Sequence, residues 1–277
     1  MPEPDGAVPD ATPVRLDALL PARGLARSRT VASKLIQDGR VLVGGRAVLK
    51  PSTPVAPDAE IEVDAADEWV SRAARKLVGA LDAFDVDPAD RVVLDVGAST
   101  GGFTQVLLAR GARRVIALDV GHGQLHPTIA LDERVAVVEG TNARNLTRAD
   151  YLALDDAATD TSLVVGDLSF ISLRLVLPAL AEAVPGDEFL LLVKPQFEVG
   201  RGGVREGIVH DAGLRNDALM NVLWAAWDLG LGTSGLAASP IVGTHGNHEY
   251  LARFQRGVGG NPTEWRVRAT ELTEGSS

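Results

Sequence analysis

Apolar positions recur at two spacings along this chain, and the alternation between them predicts its elements. Over 91–96 the run Arg-Val-Val-Leu-Asp-Val is β-branched and almost wholly apolar, which predicts a buried parallel strand. Phe103, Val106 and Leu107 then follow at helical spacing, predicting a helix near 101–110. The same alternation gives strands at 114–119 and 135–138 around a helix near 123–132. It continues as strand 162–166, helix 171–184, strand 188–193, helix 213–229 and strands near 234–239 and 249–255. Ahead of these, Leu77, Leu81 and Phe84 put an apolar stripe on a helix over 71–84, with Lys76 at its edge. Such alternation predicts an α/β fold, a doubly wound, mostly parallel sheet that binds ligands at the carboxyl ends of its strands.

The first third of the chain reads differently. Leu16, Leu19 and Leu20 form the apolar side of a short helix that Gly24 ends. Ser28 is the expected N-cap of a second helix over 29–38, with Val31, Ala32, Leu35 and Ile36 on its inner face. A hairpin turns at Gly44-Gly45, and the alternation around Ile61 and Val63 completes a small sheet. The expected organisation is a disordered Pro- and Asp-containing tail at 1–13, a small α+β domain at 14–64, a linker at 65–70 and the α/β domain at 71–277. Trp69, in the linker, is expected to pack between the domains.

Composition narrows the chemistry. The chain has no cysteine, which excludes disulfides, thiolate metal sites and a cysteine nucleophile and fits a reducing cytoplasm. No run of apolar residues is long enough to cross a membrane. The net charge of −10 argues against a nucleic-acid partner until its distribution is considered. Residues 14–50 hold eight basic and two acidic side chains, a charge of +6, which leaves −16 on the rest. A basic module on an acidic body can still capture a polyanion, because the local field decides.

The strand ends carry the candidate site. After the strand at 91–96 comes Asp95-Val96-Gly97-Ala98-Ser99-Thr100-Gly101-Gly102-Phe103, where glycines allow positive φ and close ligand approach ahead of a helix N-terminus. The glycines do not follow the dinucleotide spacing G-x-G-x-x-G. Asp119 ends the next strand and Asn142 follows the third, each either a ligand contact or a turn residue. The fourth strand ends in Gly166-Asp167-Leu168-Ser169-Phe170, and the fifth, almost wholly apolar, ends in Lys194-Pro195. A lysine there is costly unless it meets a carboxylate or faces a cleft. Glu249 precedes the last strand within Gly-Asn-His-Glu-Tyr. Phe103, Phe170 and Phe197 read as core side chains.

The pattern D-x-G-x-x-x-G-G resembles the first motif of class I S-adenosylmethionine (SAM) methyltransferases. The resemblance implies SAM contacts by Asp95, Gly97, Ala98, Ser99, Thr100, Gly101, Gly102, Phe103, Asp119, Asn142 and Asp167. Lys76, Asp167, Lys194 and Glu249, in the order K-D-K-E, match the tetrad of FtsJ-like ribose 2′-O-methyltransferases. The motifs S-R-A-x-x-K-L, D-L-S-F, L-V-K-P-Q-F-E-V-G and G-N-x-E-Y surround them. At the other end, R-L-D-x-L-L…G-L-A-x-S-R…A-x-x-L-I-x-x-G-x-V-x-V-x-G resembles the RNA-binding domain of the ribosomal protein S-four type. Together the motifs resemble the TlyA family over residues 14 to 256.

That resemblance implies methylation of cytidine 2′-hydroxyls in 16S and 23S ribosomal RNA, or in 23S alone, within 30S and 50S subunits, with no metal. It makes Arg15, Arg27, Arg29, Lys34 and Arg40 expected phosphate contacts, with Arg72 and Arg75 extending the basic track. Residues 196–211 read as a mobile, glycine-rich loop gripping RNA through Arg201 and Arg205. A ribose hydroxyl must lose a proton as it attacks, and a lysine accepts one only when neutral, a form that burial beside a second cation favours. Lys194 is the expected base, Lys76 its cationic neighbour, and Asp167 and Glu249 the orienting carboxylates. The family also makes sensitivity to tuberactinomycin antibiotics an expectation. Methylation of another RNA, and an RNA-binding assembly factor with a degenerate enzyme domain, are the rival readings. The haemolysin label sometimes given to the family finds no support in an apolar span or a basic amphipathic helix.

Overall fold

The computed structural model describes residues 12–26, 28–63, 69–243 and 246–275. Most of the expected tail, most of the linker, Arg27 and the side chain of Arg201 lie outside the described residues. The chain forms two compact units, residues 1–68 and 69–277.

In the first unit, β1 (Val14–Arg15) leads into α1 (Leu16–Ala22) and α2 (Arg29–Gln37). Ser28 caps α2 by accepting from Val31 N at 3.2 Å. The strands are β2 (Val41–Val43), β3 (Arg46–Ala47), β4 (Pro54–Val55) and β5 (Ile61–Val63). They make an antiparallel sheet β3-β2-β5 and a separate β1-β4 pair. Leu16, Leu20, Ala32, Ile36 and Val41 are fully buried between helices and sheet.

The second unit runs α3 (Ala73–Phe84), β6 (Val92–Val96), α4 (Gly102–Ala109), β7 (Arg114–Leu118), α5 (Pro127–Ala130) and β8 (Val135–Val138). It continues as α6 (Arg148–Leu152), β9 (Thr161–Gly166), α7 (Leu173–Ala183), β10 (Glu188–Val193), α8 (Pro195–Glu198) and α9 (Ala212–Trp227). It closes with β11 (Leu231–Ala238), β12 (Tyr250–Arg256) and α10 (Arg266–Glu274). The seven strands are ordered β11-β12-β10-β9-β6-β7-β8, and β12 runs antiparallel to both its neighbours. This is the class I methyltransferase arrangement.

Strand alternation sorts the core into two layers. Leu94, Val96, Val164, Leu191 and Val193 pack with α7 and α9, whereas Val93, Leu163, Val165, Leu190 and Leu192 pack with α3 and α4. Trp69 packs on the second of these clusters, within its own unit. The central strand β6 has β7 on one side and β9 on the other, which puts the topological switch point at its carboxyl end.

The helix expected near 123–132 is shortened to α5, because Gly121 and Gly123 keep the preceding residues irregular and Pro127 opens the helix. Sequence patterning misses α10, whose Arg-Val-Arg-Ala-Thr-Glu-Leu-Thr-Glu has no apolar stripe and buries only Ala269, Leu272 and Thr273.

Candidate active site

A cavity of about 510 Å³ opens at the switch point, lined by Gly97, Ser99, Asp119, Asn142 and Asp167 among others. Its size is ordinary for a cofactor site. Asp119, just past β7, accepts Ser99 N at 2.8 Å on one carboxylate oxygen and Gly121 N at 2.8 Å on the other. The acid is thereby fixed against the glycine turn and still faces the cavity. Asn142 makes the turn, its side chain accepting Arg144 N at 3.0 Å, and it also lines the cavity.

Beside the cavity, four charged side chains from four distant segments meet. Lys76 Nζ lies 3.2 Å from Asp167 Oδ2 and 2.7 Å from Glu249 Oε2. Lys194 Nζ lies 2.6 Å from Asp167 Oδ1 and 2.7 Å from Ser169 Oγ. Lys76, Lys194 and Glu249 are buried, so each charge needs its partner. Burial pushes the Asp167 carboxyl up, but Lys76 and Lys194 together outweigh it and hold the group below the usual carboxylate range. Gly243 makes the Glu249 position possible, since a Cβ there would stand 2.3 Å from Glu249 Oε1.

Comparisons with known proteins give the family. Residues 69–256 match the FtsJ-like methyltransferase family and residues 14–61 match the S4 domain. A Mycobacterium tuberculosis relative named 16S/23S rRNA (cytidine-2′-O)-methyltransferase TlyA is 49% identical over 86% of this chain and 88% of its own. The chain belongs to the TlyA family of FtsJ-like methyltransferases. A Brachyspira hyodysenteriae member named Hemolysin A is 38% identical over 87% of this chain and 99% of its own. Among the described residues here, no helix is long and apolar enough to cross a membrane. A solved structure from Streptococcus thermophilus, 34% identical, covers 96% of each chain with a TM-score of 0.73.

Within this TlyA-family site, the glycine turn divides in a way its sequence does not show. Gly97 and Ser99 line the cavity, but Ala98, Thr100, Gly101, Gly102 and Phe103 do not. Phe103 is buried in the α3–α4 layer. Asp95 is fully buried and its Oδ2 accepts the Thr104 hydroxyl at 2.6 Å. Strand alternation sends Asp95 to the same face as Val93, towards α4.

Phe170 corrects the reading of the phenylalanines as core. It is 91% exposed, lines the cavity and takes φ +64, with its ring 5.4 Å from that of Phe197. A bulky residue rarely holds that backbone conformation, and its loop is braced at both ends. Lys194 grips one end through Asp167 and Ser169; Glu198 grips the other, accepting Ser172 Oγ at 2.5 Å and Leu173 N at 2.7 Å. Sequence reading passes over Glu198, although a carboxylate in Gln-Phe-Glu-Val just after the strand-end lysine is its signal.

The segment expected as a mobile loop over 196–211 is tied down. It contains α8, Arg205 and Ile208 bridge to each other, and Asn247 accepts Val209 N at 3.3 Å and donates to Gly207 O at 2.7 Å. The buried Arg215 donates to the carbonyls of Val209, His210 and Thr273, linking this segment to the end of α10.

Of the expected RNA contacts, Arg15 and Arg29 both pair with the buried Asp17, at 2.7 and 3.2 Å. The Arg15 hydrogen bond, ahead of that from Arg29, holds Asp17 below its ordinary range. Lys34 and Arg205 are exposed, and Arg40, Arg72 and Arg75 are half-buried.

Proposed function

We propose that this protein transfers a methyl group from SAM to the ribose 2′-hydroxyl of a cytidine in ribosomal RNA, acting on 16S RNA, 23S RNA or both, in the cytoplasm. The observation that carries the reading is the two-lysine, two-carboxylate cluster at the edge of a nucleotide-sized cavity. Asp119 suits the ribose hydroxyls of the cofactor, with Gly97, Ser99 and Asn142 around them. SAM bound there supplies an electrophilic methyl group on sulfur.

The residues of the chain divide the remaining work. Lys76, ion-paired on both sides, is a fixed positive charge near the developing alkoxide. Lys194, with one carboxylate and one neutral partner, is the base that accepts the 2′-hydroxyl proton. Asp167 bridges the two lysines and holds their spacing. Phe170 offers an exposed ring where an unstacked base can lie. Residues 14–64, followed by a linker at 65–70, serve as the RNA-binding module, with Arg15, Arg27, Arg29, Lys34 and Arg40 on phosphates. Arg72, Arg75, Arg201 and Arg205 extend the track.

The test is transfer of labelled methyl from SAM to separate unmodified 30S and 50S subunits, followed by digestion to nucleosides. Wild type should place label in 2′-O-methylcytidine. Lys194→Ala should lose at least the roughly 10²–10⁴-fold that general-base help supplies while still binding SAM. Label in a base-methylated nucleoside would overturn the chemistry, and loss of SAM binding in Lys194→Ala would overturn the role of Lys194.

A further inference from the structure

The two lysines of the cluster are held differently, and the difference lies in a residue outside the tetrad. Lys76 has a carboxylate on each side, whereas Lys194 has Asp167 Oδ1 at 2.6 Å and the neutral Ser169 Oγ at 2.7 Å. A neutral primary amine has four tetrahedral directions: one to its carbon, two to hydrogens and one to the lone pair. With both hydrogens committed to fixed acceptors, the lone pair takes the only direction left. The Ser169 hydroxyl is one of those two acceptors, and Ser169 lines the cavity.

We propose that Ser169 is a positioning residue that aims the Lys194 lone pair at the ribose 2′-hydroxyl. The inference rests on Lys194 being the base. As the 2′-oxygen bonds to the methyl carbon and the carbon–sulfur bond breaks, the hydroxyl proton passes to Nζ. The resulting ammonium keeps two donors on Asp167 and Ser169, points its third towards the new ether oxygen, and later gives a proton to solvent. Without the serine hydroxyl, one N–H has no fixed acceptor and the lone pair is free to occupy either of two directions.

The side chain can be removed without dismantling its loop. Ser169 is exposed, and the loop is pinned independently by Glu198 on Ser172 and Leu173. The experiment is steady-state methyl transfer to unmodified ribosomal subunits by the full chain and by Ser169→Ala, Ser169→Thr and Lys194→Ala, with SAM affinity measured by calorimetry. Ser169→Ala should lower kcat by roughly 10- to 100-fold, the scale of a misaligned reacting group. The KM for both substrates and the affinity for SAM should stay as in wild type, and Ser169→Thr, which keeps the hydroxyl, should recover most of the rate.

Wild-type turnover by Ser169→Ala alongside a dead Lys194→Ala would overturn the role of Ser169 alone. A Ser169→Ala enzyme whose SAM affinity falls with its rate would make Ser169 a cofactor contact instead. A threonine variant as slow as the alanine one would show that the hydroxyl is not the working group. Full activity in Lys194→Ala would overturn the base assignment on which the inference stands.

Discussion

Asp95 carries one carboxylate oxygen on the Thr104 hydroxyl and, among the described residues, no hydrogen-bond partner on the other. Burial pushes this group up to about 7, against the lowering effect of Thr104. A carboxyl raised in the folded state keeps its proton where the unfolded chain has lost it. The folded form therefore loses stability as pH rises from the ordinary carboxylate value of about 4 towards 7, by up to about 4 kcal/mol. Asp95→Asn does not titrate, so it should raise the melting temperature at about pH 8 and much less at about pH 5. Equal shifts at both values, measured by calorimetry, would show that the carboxyl ionises without cost. Placed before a glycine turn, Asp95 reads as a ligand contact; which face of the strand it occupies was equally legible, since it shares a face with Val93 and alternates with Leu94 and Val96. What was not legible is that α4 covers that face with Thr104.

At the scale of elements, the glycine turn serves packing as much as binding. A Cβ on Gly102 would stand 2.2 Å from Ser71 Oγ and 3.1 Å from the backbone N of Ala74. The serine can turn away, but the backbone at the start of α3 cannot. Gly102→Ala should therefore cost about 1–3 kcal/mol of stability, as overpacking does. The denaturation midpoint should fall with an unchanged slope, and the folded fraction should bind SAM normally. A variant of full stability that has lost SAM would return Gly102 to the cofactor. The alternation of strands and helices was readable because the inner parallel strands β6, β9 and β10 are nearly continuous apolar runs. The bracing by Glu198, Asn247 and Arg215 was not, because each joins segments that only the folded sheet brings together.

Across the whole molecule, charge is sorted by unit. The +6 of residues 14–50 stands on a chain of net charge −10, so affinity for a polyanion depends on a few contacts and on salt. Within the first unit Asp17 neutralises part of the field of Arg15 and Arg29 while fixing their orientation, and Lys34 stands free of it on α2. The logarithm of affinity for ribosomal subunits should fall linearly with that of salt concentration. Lys34→Ala should reduce the slope by about 1, as expected for one phosphate contact. An unchanged slope in a titration of labelled subunits would remove Lys34 from the interface.

By itself the sequence determined the class of both domains, the order of nearly all their elements and the four charged residues of the cluster. Those features are local: apolar period, capping and turn residues, and short motifs. Which turn residues face the cavity, the exposure of Phe170 and the unlike partners of the two lysines follow from the packing of distant segments. Each of those depends on which segments the sheet order makes neighbours. Residues 167, 194 and 249 are far apart along the chain, and their contacts exist because β9, β10 and β12 lie side by side.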